Sequence, residues 1–76
     1  MRFLAIREDR QPAPDVWRNY VHKLNVNCRG CGQTYQLWAP MGTEDEIAIK
    51  AEAERLRTQL AEDCSGHPDW FEMAGR

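Results

Sequence analysis

Seventy-six residues suit one small domain spanning 1–76, in which a hydrophobic core is marginal without a staple such as a metal or disulfides. Hydrophobic residues make up 42% of the chain and charged ones 29%, which marks a globular rather than a disordered sequence, and no apolar run approaches the roughly 20 residues that cross a bilayer. The net charge of −2 argues against non-specific DNA binding as the main task, because such binding depends on basic groups neutralising phosphates.

Met1-Arg2-Phe3-Leu4-Ala5-Ile6 is too short for the core of a signal peptide, and Arg7-Glu8-Asp9-Arg10 ends it. The expected compartment is the cytoplasm. Thiols stay reduced there, so paired cysteines are more often metal ligands or redox groups than structural disulfides. Three cysteines also cannot all pair within one chain. Phe3-Leu4-Ala5-Ile6, set between Arg2 and Arg7, predicts a short strand with both faces at least partly covered. Pro12 and Pro14 then stop regular structure. Charge is unevenly spread. Residues 1–33 carry six Arg/Lys against three Asp/Glu, and residues 34–76 carry four against nine. A solvated helix with an acidic face accounts for this. The functional alternative is a mildly basic N-terminal face beside an acidic helical one.

Residues 16–28 admit two readings. Val16, Trp17, Tyr20, Val21 and Leu24 fit a helical stripe, with Asp15 available as a cap. Tyr20, Leu24, Val26 and Cys28 instead alternate with Val21, Lys23, Asn25 and Asn27, as in a strand. Aromatic and β-branched content favours the strand from Tyr20 onward, and leaves room for a short helical turn at Asp15–Arg18. Gln33–Ala39 alternates again, with Tyr35, Leu37 and Ala39 on one side and Thr34, Gln36 and Trp38 on the other, before Pro40-Met41-Gly42 breaks it. The intervening Cys28-Arg29-Gly30-Cys31-Gly32 therefore sits at the tip of a β-hairpin.

Thr43-Glu44-Asp45-Glu46 reads as a capping box, with Thr43 as N-cap and Glu46 three residues later. A helix is expected from Glu44 to about Asp63, because the segment lacks Gly and Pro and is rich in Ala, Glu, Leu and Arg. Ile49, Ala53, Leu56 and Leu60 form a stripe to lie on the hairpin, and Glu46 with Lys50 makes an i,i+4 pair. Gly66 is the expected stop, free to adopt positive φ. The tail from Pro68 to Met73 is expected to add a turn that lays Trp70 or Phe71 on the core, with frayed residues beyond it.

Cys28 and Cys31 stand in C-x2-C spacing, and Cys64 and His67 in C-x2-H spacing. Zinc takes four N/S ligands in a tetrahedron, and Cys3His is a typical closed, structural set. The strand after Cys31 runs roughly 20–25 Å away, and a helix of about 20 residues returns roughly 30 Å. An antiparallel strand–loop–helix unit thus brings Cys64 back to Cys28. Cys28, Cys31, Cys64 and His67 are the expected ligands of one Zn2+. Gly30 and Gly32 suit a knuckle whose amides approach the thiolates closely.

Cys28-Arg29-Gly30-Cys31-Gly32, followed by Tyr35 and Leu37, resembles the knuckle of zinc-ribbon and related small zinc-finger domains. The resemblance covers about a dozen residues and implies a zinc-bound hairpin tip. The chain departs from the ribbon pattern, since it has no second C-x2-C hairpin and its last ligands follow a helix and include His67. It differs equally from a treble clef, whose second pair lies at the start of a helix.

A redox dithiol is the main competitor for Cys28 and Cys31. Such pairs start helices, however, and here a strand-like segment follows. His22, six residues before Cys28, is read as structural or exposed, with a lesser claim to be the fourth ligand. Trp17 and Trp70 are expected at the core or its edge. Trp38, beside Pro40 and Met41, is either a partner-binding anchor or buried against the N-terminal strand. No catalytic constellation appears: there is no serine–base pair, P-loop or G-x-G-x-x-G, and four protein ligands leave a zinc no open position.

The sequence thus describes an α+β, zinc-stabilised domain, in which a β-hairpin with a zinc knuckle and an N-terminal strand pack on one long helix. The expected function is a non-enzymatic protein-interaction module. Its surfaces are the helix face of Glu52, Arg55, Gln59 and Glu62 and the edge around Trp38. A small acidic chain of this sort suits a bacterial or phage-encoded regulator or inhibitor docking on a larger protein machine. Nucleic-acid binding through Arg2, Arg7, Arg10, Arg18, Lys23 and Arg29 is the alternative, provided that they share a face. A thiol–disulfide redox protein is third.

Overall fold

The structure, a computed structural model, describes residues 2–10 and 18–74. Four strands, β1 (Arg2–Arg7), β2 (Tyr20–Asn27), β3 (Thr34–Pro40) and β4 (Trp70–Ala74), form one antiparallel sheet in the order β2-β3-β1-β4. The helix α1 (Glu46–Glu62) packs on one face, which gives the expected α+β class. The N-terminal strand lies inside the sheet, between β3 and β4, and this explains its apolar run. Phe3 and Ala5 join the core shared with the helix, while Leu4 and Ile6 are buried on the opposite face. In β3, Tyr35, Leu37 and Ala39 are fully buried toward the helix, and Thr34, Gln36 and Trp38 point away half-buried.

Strand, not helix, prevails from Tyr20. The turn expected at Asp15–Arg18 falls, up to its last residue, outside those described, as does the placement of Trp17. The alternation expected along β2 holds only in its second half. The register shifts between His22 and Leu24, so that His22 pairs with Trp38 and Leu24 with the adjacent Leu37, and Lys23 is the extra residue. A bulge of this kind flips the faces on either side of it. Leu24, Val26 and Cys28 therefore turn toward the helix, whereas Tyr20 and His22 lie on the far face and Val21 takes the near one.

Helix α1 begins two residues later than the capping box implies. The N-cap is Asp45, whose carboxylate accepts from the backbone N–H groups of Ile47 (3.1 Å) and Ala48 (3.2 Å). Thr43 is already committed: its N–H donates to the Pro40 carbonyl at 3.0 Å, closing a turn through Gly42 at φ +92°. With Thr43 buried in that turn, the cap passes to the next side chain able to reach the exposed amides. At the other end Asp63 is the C-cap, its N–H donating to the Gln59 carbonyl at 3.2 Å. Gly66 does not adopt the positive φ expected of it; its N–H instead donates to the Asp63 carbonyl at 3.2 Å, continuing the turn toward Cys64 and His67.

The stripe of Ile49, Ala53, Leu56 and Leu60 is buried as expected, and burying each leucine is worth about 2 kcal/mol. Glu52, expected on the exposed face, is instead 4% exposed. It falls beside Ile49 and Ala53 on the wide buried flank of the helix, and its Oε1 takes Arg55 at 3.2 Å. The helix's ion pairs among the described residues are this pair and Glu54–Arg57, both at i,i+3; the expected Glu46–Lys50 pair is not among them.

The tail is a strand rather than a turn. Residues 70–74 pair with β1 along its open edge, with Met73 opposite Phe3 and buried, and Arg2 bonded to Glu72 at 2.8 Å. Satisfying a row of backbone groups on β1 outweighs one extra turn. Trp70 consequently stands 44% exposed on the far face, not on the core.

Candidate metal centre

Each half of the cluster is built by local backbone chemistry. The knuckle follows β2, where the Cys28 N–H donates to the Gln33 carbonyl and the Gly32 N–H returns to the Cys28 carbonyl, both at 2.8 Å. Gly32 makes the turn possible at φ +77°, a conformation that side chains resist. Asn27 locks the turn from outside, its Nδ2 donating to Thr34 Oγ1 (2.9 Å) and the Gly32 carbonyl (3.3 Å). The other half follows α1, whose last turns deliver Cys64 and His67 to the same spot.

Together the ligand atoms of Cys28, Cys31, Cys64 and His67 lie within 4.8 Å of one another, a group able to hold a metal ion. The sulfurs of Cys28 and Cys64 are 3.7 Å apart, and all three cysteines are free thiols. Gly30 is needed here for space. A Cβ at that position would stand 2.6 Å from the Cys64 sulfur, so a side chain there would have to displace that ligand atom.

Burial is graded across the four: Cys28 is buried, Cys64 and His67 are intermediate, and Cys31 is exposed. The electrostatics call for a cation. The His67 imidazole first, and then the backbone amide of Cys31, draw the Cys28 thiol down to about 6. Cys64, facing the sulfurs of Cys28 and Cys31, is pushed up to about 11. One thiolate thus forms readily and the next is resisted, which is the expected behaviour of a thiolate cluster whose charge is not neutralised. His67 adds a second sign, because its Nε2 is buried with no hydrogen-bond partner among the described residues. A buried ring nitrogen left without a partner is costly unless something binds it.

Tyr35 supports this half of the site from the core. Its hydroxyl donates to the carbonyl of Pro68, the residue after His67, and its ring meets the His67 ring edge-on at 5.9 Å. Burial pushes its phenol up to about 12. Tyr35 had been legible only as a core residue; the alternation on β3 gives no sign that its hydroxyl reaches the ligand loop.

The remaining candidates lie elsewhere. His22 is on the far face of the sheet, with its Nε2 2.9 Å from Asn25 Oδ1 and its ring 5.5 Å from that of Trp38. The bulge at Lys23 takes it off the face of Cys28. Trp38 is half-buried and donates from Nε1 to Gln36 Oε1 at 3.3 Å, with Met41 66% exposed near the end of the same strand. Three of the six basic residues of the N-terminal half pair with carboxylates. Arg2 pairs with Glu72, Arg7 with Asp9 and Asp69, and Arg10 with Asp69.

No family model matches the sequence, and neither a curated protein nor a solved structure does. Among the described residues, no helix is long and apolar enough to cross a membrane.

Two predictions come from this geometry. Replacing Gly30 with Ala should weaken metal binding about tenfold or more, equivalent to about 1.4 kcal/mol, in competition with a chromophoric chelator. Unchanged affinity would mean that Cys64 reaches the site by another path. The second concerns alkaline pH. An unfolded tyrosine ionises near pH 10, whereas Tyr35 ionises at about 12 in the fold. Between those values the folded state holds the extra proton, so stability should be level below about pH 10 and fall as pH rises toward 12. Thermal unfolding across this range should show the decline in the wild type and a flatter limb in Tyr35→Phe.

Proposed function

We propose that the cluster holds a structural zinc ion and that the chain is a non-enzymatic protein-interaction module. The observation that carries the metal assignment is the convergence of three cysteine sulfurs and a ring nitrogen of His67 within 4.8 Å of one another. Two thiolates on one tetrahedral zinc with bonds of about 2.3 Å lie about 3.8 Å apart, and the Cys28–Cys64 spacing of 3.7 Å matches. Thiolate-rich sets of this kind favour zinc over hard cations. When bound, the ion neutralises the thiolates and joins the hairpin tip to the helix end. Cys28, Cys31, Cys64 and His67 would fill its coordination, which leaves no position for a substrate and speaks against catalysis. The cysteine pair follows a strand rather than heading a helix, which speaks against a thioredoxin-like dithiol.

The surfaces offered to a partner are those that the site holds rigid. Glu52 drops out because it is buried. Arg55, Gln59 and Glu62 remain exposed and, with Glu54 and Thr58, line a shallow cleft along the helix. Ile47 on the helix is 81% exposed and Met41 is 66% exposed, and both are large apolar groups facing solvent. Isolated exposed apolar groups beside charges suit a small interface, in which a few anchors carry most of the energy. A regulator or inhibitor docking on a larger protein fits this size and surface. The pairing of Arg2, Arg7 and Arg10 with carboxylates takes half of the basic set away from the nucleic-acid alternative.

The purified protein should contain one zinc per chain by elemental analysis, and a strong chelator should unfold it, read as loss of the circular-dichroism signal. Acid should release the metal as protons compete for the thiolates and His67. A fold that survives complete metal removal would overturn the structural role. For the interaction role, zinc-loaded protein should retain a defined protein partner from its host lysate, and Met41→Glu with Ile47→Glu should release it without lowering the melting temperature. Equal retention by this double variant would overturn the proposed surface.

A further inference from the structure

The four ligands are unequally protected, and this has chemical consequences that the zinc assignment alone does not state. Cys28 is 2% exposed and sits within the hydrophobic core cluster. Cys31 is exposed and lines an open cleft of about 360 Å³ with Glu8, Asp9, Gly32, Gln33 and Thr34. Cys64, in the other half-site, is half-buried, and its sulfur lies within 4.8 Å of those of Cys28 and Cys31. The thiolate is the reactive form of cysteine, and susceptibility to oxidation follows thiolate character and exposure. A zinc-bound Cys31 would supply both, and Cys64 is the neighbour placed to resolve its oxidation.

We infer that the site is a peroxide-sensitive clasp: oxidation begins at Cys31, Cys64 completes it, and the resulting Cys31–Cys64 disulfide expels zinc while still tying the hairpin tip to the helix end. The inference rests on the zinc reading above. In the first step the Cys31 thiolate attacks one oxygen of hydrogen peroxide and the O–O bond breaks. Cys31 becomes a sulfenic acid, and the departing hydroxide takes a proton to become water. In the second step the Cys64 thiolate attacks the Cys31 sulfur, an S–S bond forms, and the S–O bond breaks to release hydroxide, which is again protonated to water. Two thiolates lose two electrons, and peroxide gains two electrons and two protons. The zinc is left with Cys28 and His67 only, a set too small to retain it against a chelating dye.

The structure favours this pairing over the local alternative. A Cys28–Cys31 disulfide would require the sulfur that the core shields from solvent to react. The cross-link to Cys64 uses the two more accessible cysteines, whose sulfurs lie within 4.8 Å of each other.

The wild-type chain is well suited to the test, because trypsin places each cysteine on its own peptide: residues 24–29, 30–50 and 58–76. Zinc-loaded protein is treated with hydrogen peroxide, zinc release is followed with a chromophoric dye, and the quenched protein is digested and mapped by mass spectrometry without reduction. The expected result is release of one zinc per chain in step with the loss of two thiols, peptide 30–50 linked to peptide 58–76, and Cys28 recovered as a thiol. Circular dichroism of the oxidised, zinc-free protein should keep most of its signal, unlike that of the chelator-treated reduced protein. A Cys28–Cys31 link, or zinc retained with all thiols intact under peroxide that fully oxidises glutathione, would overturn the inference while leaving the structural zinc in place. Protein that holds no zinc at the outset would overturn both.

Discussion

Everything in this chain depends on one close approach, that of the Cys64 sulfur to the knuckle across Gly30. The sheet by itself offers four short strands, two of them joined only through pairings between opposite ends of the sequence. The helix brings a stripe of four apolar residues to that sheet, which is a thin core for a domain this small. Where the last helical turn meets the hairpin tip, the packing ends and a cluster of sulfur and nitrogen donors begins. The Cys28 sulfur also lies 3.7 Å from the Leu60 carbonyl, so the donor cluster and the apolar core share a boundary and are built from the same turn of helix.

That boundary sets the electrostatics. A cluster of three thiols beside an imidazole is poorly placed in reduced, metal-free form, since the first thiolate opposes the second and the buried His67 Nε2 has no partner among the described residues. Such a site carries unfavourable interactions until a cation relieves them. Tyr35 spans both regimes. Its ring is part of the core, while its hydroxyl fixes the backbone just after His67, so that the orientation of one donor is tied to packing on β3.

Much of this could be read from the residues. The alternation of Tyr35, Leu37 and Ala39, the helical stripe and the convergence of Cys28, Cys31, Cys64 and His67 all follow from fixed periods and element lengths, which survive in sequence because each has a regular spacing. What escaped the reading depends on contacts without such spacing. The bulge at Lys23 adds one residue and leaves no compositional mark, yet it reverses the faces of Tyr20, Val21 and His22. Glu52 is buried because the covered flank of the helix is wider than its apolar stripe. The cap moved from Thr43 to Asp45 because a turn at Pro40 claimed the threonine first. β4 is five residues whose partner strand lies at the far end of the chain, and no local pattern announces a pairing of that range.

The strand order carries one more consequence, for how the domain can be attached to anything else. Arg2 pairs with Ala74, so the chain enters and leaves the fold side by side. Both points lie at the end of β1 remote from the knuckle, since the other end of β1, at Arg7, adjoins Tyr35 and Asp69. The domain is therefore a loop on a two-stranded stem, with its donor cluster at the tip. Polypeptide extending from either end, or a host protein into which the whole unit is spliced between adjacent residues, would hold it by the stem and leave the cluster and the helix facing outward.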